Sequence, residues 1–475
     1  MSALNRRQFV LVSSLAMASV YVGAARASGM PRVRRNINKM AASDPYFVKY
    51  GEAVTKMHTL PASDPRNWRN QALIHLNHCP HGLPDFTHWH RHYILNFERI
   101  CAELIGDPNF ALAYWDWTQN NGRIPTPFFD LDALNVEKLH DVAHDSSPNW
   151  NQGTPVDTIG SRWLTRTRGL RDDATLGGTF DPQKIEDIKH LTDFDLFKGR
   201  LESSPHNIAH GISGGDNGHM GDGMSPYDPI FWLHHCNVDR IWAEWQKAKN
   251  VTPPLNLVYD GQFVDGKGKP IKASSASSLD ITDLGYSFES LQGPQGAVAA
   301  SQSIFRNIPV GPQSKVLGVS NVATAAKASQ VADFSVSTQS LLTDMFQERV
   351  YRIVADGEPR LAAESTRVLA RLRGVTAPQT KDPFIVNVWV NCPYASAELP
   401  YTDKHYAGSF SFFGHRGLNH ELEVLVDLTD PLGHLAGEGL LADEQIKVQA
   451  VAVPVDKKRP FSGSVTYKGI DIIRT

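Results

Sequence analysis

Two groups of histidines, each set in aromatic-rich sequence, offer the chain's most distinctive chemistry. The first lies in His75-Leu-Asn-His78-Cys79-Pro-His81-Gly-Leu-Pro-Asp85-Phe86-Thr-His88-Trp89-His90-Arg91. The second opens with His206-Asn207-Ile-Ala-His210 and closes with Asp228-Pro-Ile-Phe231-Trp-Leu-His234-His235-Cys236-Asn-Val-Asp239-Arg240. Imidazole binds zinc, copper, iron and nickel, but neither group has the thiolate set that favours zinc or the carboxylate-containing triad that favours iron. Two three-imidazole sets in one chain point instead to a pair of copper ions that handle dioxygen together.

Each histidine needs an element that turns it inward. Over 88–105, His90, Ile94, Phe97, Cys101 and Leu104 recur at helical spacing, so a histidine heads an otherwise apolar stripe. Over 228–247, Phe231, His235, Val238, Trp242 and Trp245 form a second stripe, with Asp228 suited to the N-cap and Pro229 to the first turn. His206 and His210, four apart, share one helix face and can reach one metal. Helix bundles build dinuclear sites from histidines that converge from several segments. The sequence therefore predicts a mainly α fold with a four-helix-bundle dicopper core. Beyond it, 349–355, 383–390, 408–414, 421–428, 446–453 and 464–472 are short β-branched and aromatic runs between Pro, Gly and Asp, which predict a C-terminal antiparallel β-sandwich.

The 475 residues are enough for more than one domain with a well-buried core. Hydrophobic content of 41%, charged content of 20% and a net charge of −3 describe an ordinary globular protein with no electrostatic case for nucleic acid or an anionic membrane. Asn5-Arg6-Arg7-Gln8-Phe9 followed by an apolar run to Ala25-Arg26-Ala27 reads as a twin-arginine export signal, and 9–25 is short for a membrane span. An exported protein, periplasmic or secreted and free of the membrane once the signal is removed, is expected. Four cysteines are too few for a disulfide framework, and Cys79 and Cys236 sit inside the histidine groups. The expected organisation is an export signal over 1–27, a dicopper domain over 28–290, a linker over 291–344 and a sandwich lid over 345–475.

The string His81-x4-Phe86-x2-Trp89-His90-Arg91, with Glu98 downstream, resembles the first copper motif of the tyrosinase, catechol oxidase and haemocyanin superfamily. Asp228-Pro-x-Phe231-Trp-x2-His235-x3-Asp239-Arg240 resembles its second, and the likeness covers residues 40–250. Carried over by position, it implies His75, His81 and His90 as ligands of one copper and His206, His210 and His235 as ligands of the other. His58 and His78 stay open as alternatives to His75, and His234 is expected just behind the ligands. Cys79-Pro80-His81 resembles the family's Cys-x-His element, which implies a thioether between the sulfur and the His81 ring. Glu202 and Asn207 match the pair that holds a water as relayed base, while Gly211 and Asp222 fall at the positions that gate the second copper. Asp239 and Glu98 are candidates to orient ligands, a role compatible with pairing with Arg91 or Arg240.

The resemblance implies an exported copper oxidoreductase that turns phenols and catechols into ortho-quinones with molecular oxygen, including ortho-hydroxylation of monophenols. A catechol or ortho-aminophenol oxidase without that hydroxylation is the alternative, and a haemocyanin-like oxygen carrier the next. Expected partners are a small phenolic substrate and dioxygen, with a homo-oligomer left open. The sandwich of such proteins covers the site and inserts a placeholder side chain, for which the segment from Tyr394 through Tyr401 to Tyr406 is the candidate.

Overall fold

The computed structural model describes residues 31–139, 180–191, 194–214, 219–221, 223–248, 252, 255–291, 315–320, 324–327, 331–337, 368–376, 384–399, 403–410, 412, 421–441, 445–454 and 463–474. The expected export signal, the 349–355 run, Asp222 and Tyr401 lie outside these residues.

The helices start and stop on local signals. Asp44 caps α1 (Pro45–Thr59) by accepting the Tyr46 N–H at 2.9 Å, with Pro45 in the first turn. Asn67 caps α2 (Trp68–His78) through the Arg69 N–H at 3.0 Å. Helix α3 (Phe86–Ile105) ends where Gly106, at φ 67°, turns left-handed and returns its N–H to the Ala102 and Glu103 carbonyls. Two shorter helices, α4 (Pro182–Lys189) and α5 (Phe194–Leu201), lead into a π turn (Glu202–His206) and α6 (Asn207–Gly214). Helix α7 (Ile230–Lys247) begins after Asp228, whose carboxylate accepts the Ile230 N–H at 3.0 Å as the capping reading expects.

Both apolar stripes face inward. His90, Ile94, Phe97 and Cys101 on α3 are buried with Phe231, His235, Val238, Trp242 and Trp245 on α7, and Leu104 is half-buried. The Phe97 and Trp232 rings stack at 3.4 Å where the two helices meet. His206 closes the π turn, in which Ser204 has extended backbone (φ −164°, ψ 113°), and His210 lies one turn on in α6, the two rings 4.6 Å apart. No helix among the described residues is long and apolar enough to cross a membrane.

Strand β1 (Arg32–Arg34) pairs in parallel with β4 (Tyr286–Phe288), while β2 (Val258–Val264) and β3 (Pro270–Ser274) form a hairpin. The C-terminal strands are β5 (Lys315–Ser320), β6 (Thr324–Lys327), β7 (Val331–Ser337), β8 (Val368–Val375), β9 (Phe384–Val390), β10 (Tyr406–Phe410), β11 (Leu422–Asp427), β12 (Gln445–Pro454), β13 (Ser464–Tyr467) and β14 (Gly469–Arg474). Eight of them build two antiparallel sheets, ordered β10-β9-β12-β7 and β11-β8-β14-β5, around one core, and β13 pairs with β6 in a separate two-stranded sheet. The linker expected over 291–344 is thus wrong where it meets β5, β6 and β7. Their apolar residues are diluted by Ser, Ala and Gly, and only distant partners such as β12 and β14 make them strands.

Strand β9 is buried along its whole length. Its side chains alternate: Val386, Val388 and Val390 enter the sandwich core, whereas Ile385 and Trp389 join the helical core with Val451 and Val453 of β12. Arg200 of α5 crosses the same seam and donates to the Leu425 carbonyl at 3.1 Å.

Candidate metal centre

Four segments deliver the histidines to one place. His75 comes from α2, His81 from the loop before α3, and His90 from the first turns of α3. His206 closes the π turn, His210 lies in α6, and His234 and His235 lie in α7. They form two groups, His75, Cys79, His81 and His90 and then His206, His210, His234 and His235, with possible ligand atoms within 4.8 Å of one another in each. His78 is exposed and His58 stacks on Trp68 at 5.3 Å, so neither competes with His75.

Backbone carbonyls set the tautomers. His75 Nδ1 lies 2.8 Å from the Gly223 carbonyl, His90 Nδ1 2.8 Å from the Phe86 carbonyl, and His210 Nδ1 2.9 Å from the Met220 carbonyl. Only an N–H can make such a contact, so the lone pair of each ring stays on Nε2. His206 does the same through the side-chain oxygen of Asn207 at 2.9 Å. In the second group, the Nε2 atoms of His206 and His210 then meet His235 Nε2 at 3.4 and 3.2 Å. Lone pairs converging at such distances repel unless a cation lies between them.

Burial drives His75 down to about 4 and pushes His90, His206, His210, His234 and His235 well below the usual imidazole range. Neutral imidazoles are the ligand form, and the nitrogen-rich donor set fits a binuclear copper centre. The His90 and His235 rings stack at 4.2 Å with 5° between their planes, which joins the groups. His234 lies inside the second group, its ring 4.3 Å from His210 and 5.1 Å from His206.

Cys79 Sγ lies 3.3 Å from His81 Nδ1 and 3.5 Å from its Nε2, so it faces the carbon between the two nitrogens. Glu202 is buried and accepts the Gly82 N–H at 2.5 Å. Burial raises its carboxyl to about 7, against the pull of Lys198 and the Gly82 N–H. Gly211 is buried in α6.

The expected ion pair of Asp239 with Arg91 forms at 2.5 Å, and Asp239 also meets Arg34 at 2.9 Å, while Glu98 pairs with Arg34 at 2.9 Å and Arg32 at 3.0 Å. Arg240 pairs instead with Glu244 at 2.8 Å and Asp116 at 3.6 Å. Tyr394 is no placeholder, being 51% exposed with its hydroxyl donating to Asp403, while Tyr406 packs edge-on against Trp389. Sequence reasoning missed Arg34, whose partners lie far along the chain, and the Gly223 and Met220 carbonyls, which no residue type announces.

The sequence model described as the common central domain of tyrosinase matches residues 49–248. Aureusidin synthase of Antirrhinum majus is 28% identical over 55% of this chain, which spans about half (52%) of that relative's length. A chloroplastic polyphenol oxidase of Spinacia oleracea is 28% identical over 93% of this chain and 76% of its own. Among solved structures, latent apple tyrosinase superposes with a TM-score of 0.57 at 19% identity, covering 94% of this chain and 98% of that one.

Proposed function

We propose that the chain, whose residues 49–248 match the common central domain of tyrosinase, is a type 3 dicopper oxidoreductase that oxidises phenols and catechols to ortho-quinones with molecular oxygen, including ortho-hydroxylation of monophenols. The observation that carries this reading is the convergence of two neutral imidazole groups joined by the His90–His235 stack. In this reading the four histidine-bearing segments act as a bundle around the metals. His75, His81 and His90 hold one copper, and His206, His210 and His235 hold the other. Bound copper supplies dioxygen activation and the two-electron redox chemistry.

The chain's own groups do the rest. Phe86 packs 4.7 Å from the His90 ring and 4.8 Å from the His206 ring, and so spaces the two groups. Glu202 takes the phenol proton through a water that it shares with Asn207, a role its raised pKa suits at neutral pH. Gly211 leaves room over the second metal, and the family resemblance gives Asp222 as its gate residue. A thioether from Cys79 to His81, whose formation would require a two-electron oxidant to take up the two hydrogens lost, would hold the His81 ring in one orientation. Residues 1–27 send the protein out by the twin-arginine route, and 28–290 act as the catalytic unit.

The test is a copper count with parallel assays on tyrosine and L-DOPA. About two coppers per chain with turnover of both substrates are expected, and full copper without catechol turnover would point to an oxygen carrier. One observation favours a second reading, a catechol oxidase without hydroxylation. The Asn207 oxygen is engaged by His206 and one Glu202 oxygen by Gly82, which leaves fewer groups to hold a water. Turnover of L-DOPA alone would select it.

A further inference from the structure

Behind the second histidine group lies a set of buried polar atoms that the reaction does not use. Both ring nitrogens of His234, the indole N–H groups of Trp115 and Trp117, and the Asn237 side-chain amide nitrogen have no hydrogen-bond partner among the described residues. All four side chains are fully buried. They belong together. The Trp117 and Trp115 rings lie 5.0 and 6.5 Å from the His234 ring, and Asn237 follows His234 by three residues on the same face of α7. The Trp115 backbone N–H donates to the Leu233 carbonyl at 3.0 Å, which ties the tryptophan segment to that helix.

Their chemistry is lopsided. Two indoles and one amide nitrogen can only donate, and a neutral imidazole offers one donor and one acceptor. No pairing among these groups alone satisfies them, because the donors outnumber the single acceptor. Buried polar groups without protein partners are characteristically satisfied by internal water, each molecule making about three hydrogen bonds.

We propose that Trp115, Trp117, His234 and Asn237 hold internal water behind the second metal, and that this water fixes the His234 ring. His234 in turn packs against His206 and His210, so Trp117 and His234 are positioning residues for that metal. The inference rests on the dicopper reading for its consequence but not for the water itself. A water accepts the indole N–H of Trp117 and donates to the bare nitrogen of His234, which leaves the other His234 nitrogen protonated. The ring is then held by polar contacts as well as by packing.

A high-resolution crystal structure of the copper-free protein tests the water directly. It should show ordered density within about 3.2 Å of both Trp117 Nε1 and a His234 ring nitrogen. A carbonyl or side chain from 140–179 in that place, or an ion instead of water, would overturn the proposal. Trp117→Phe keeps an aromatic ring and removes the donor. By chelator competition its second copper should bind roughly tenfold more weakly, with the first unchanged. His234→Gln, which can still bind water, should lose less affinity than His234→Phe. Equal losses in the two His234 variants, or wild-type affinity in Trp117→Phe, would reduce these residues to packing. A wild-type protein that binds no copper would refute the dicopper reading while leaving the crystallographic result to decide the water.

Discussion

A carboxyl group sealed from solvent and held by a single backbone N–H accepts a proton at neutral pH more readily than an exposed one, and Glu202 is in that position. Its folded value of about 7 lies above the ordinary 4.5, so the folded state binds the proton more tightly than the unfolded chain does. That contribution to stability is complete below about pH 4.5 and fades as the pH rises towards 7, above which burying the carboxylate costs up to about 3 kcal/mol. In copper-free protein, Glu202→Gln should therefore raise the urea midpoint at pH 8 and change it little at pH 4.5. With copper, the same variant should depress tyrosine hydroxylation about tenfold or more and L-DOPA oxidation much less. Equal losses on both substrates would assign Glu202 to strapping the Gly82 loop alone. Cys79 allows a separate check: peptide mass analysis of copper-loaded protein should show two hydrogens missing from a fragment spanning Cys79 and His81, and a freely alkylated Cys79 in active enzyme would exclude the thioether. Glu202 and Cys79 were legible through the family motifs they resemble, whereas the Gly82 N–H that Glu202 accepts stands 120 residues away in sequence. His234 was legible only as a neighbour of a ligand, since Trp115 and Trp117 reach it across the fold.

At the scale of elements, the stripes on α3 and α7 could be read from their periodicity, but the staple between them could not. Arg34 of β1 is fully buried and bridges Glu98 of α3 to Asp239 of α7, while its guanidinium lies 3.8 Å from the Tyr286 ring centroid. Those carboxylates stand 64 and 205 residues away in sequence, beyond the reach of any local pattern. Removing the cation leaves two buried carboxylates short of a partner, so Arg34→Ala should cost about 3–5 kcal/mol in a denaturation experiment. Arg34→Lys should recover only part of that, because an ammonium cannot serve two carboxylates with a planar fork. A loss below about 1 kcal/mol for Arg34→Ala would show that packing, not the ion network, sets the spacing of α3 and α7. The strands show the same limit on a larger scale. β9 and β12 were found because apolar residues dominate them, whereas β8, which carries Arg371, Arg373 and Gly374, and the dilute β5 to β7 acquire their identity from cross-strand partners.

The molecule as a whole joins its two domains through a shared core, not through a loose hinge. Ile385, Trp389, Val451 and Val453 leave the sandwich to pack with the helical core, and Arg200 fastens the other side of the seam to β11. The strand β10 runs beside the π turn that carries Glu202 and His206, so the sandwich sits near the metal centre from the side of the second group. Two consequences follow from that weld. Thermal unfolding of the full chain should be one cooperative transition, since neither core is complete alone. Trp389→Ala should remove about 3–5 kcal/mol by opening a cavity at the seam, without touching a histidine. If the sandwich restrains access to the metals, as the family resemblance implies, the same variant should turn over a bulky catechol faster per copper than the wild type, with copper content unchanged. Arg200→Ala, which cuts the tie to Leu425 and leaves the apolar seam in place, should show a smaller gain. A Trp389→Ala protein that is destabilised by the expected amount yet oxidises bulky and small catechols at wild-type rates per copper would mean that the sandwich supports the fold and does not guard the site.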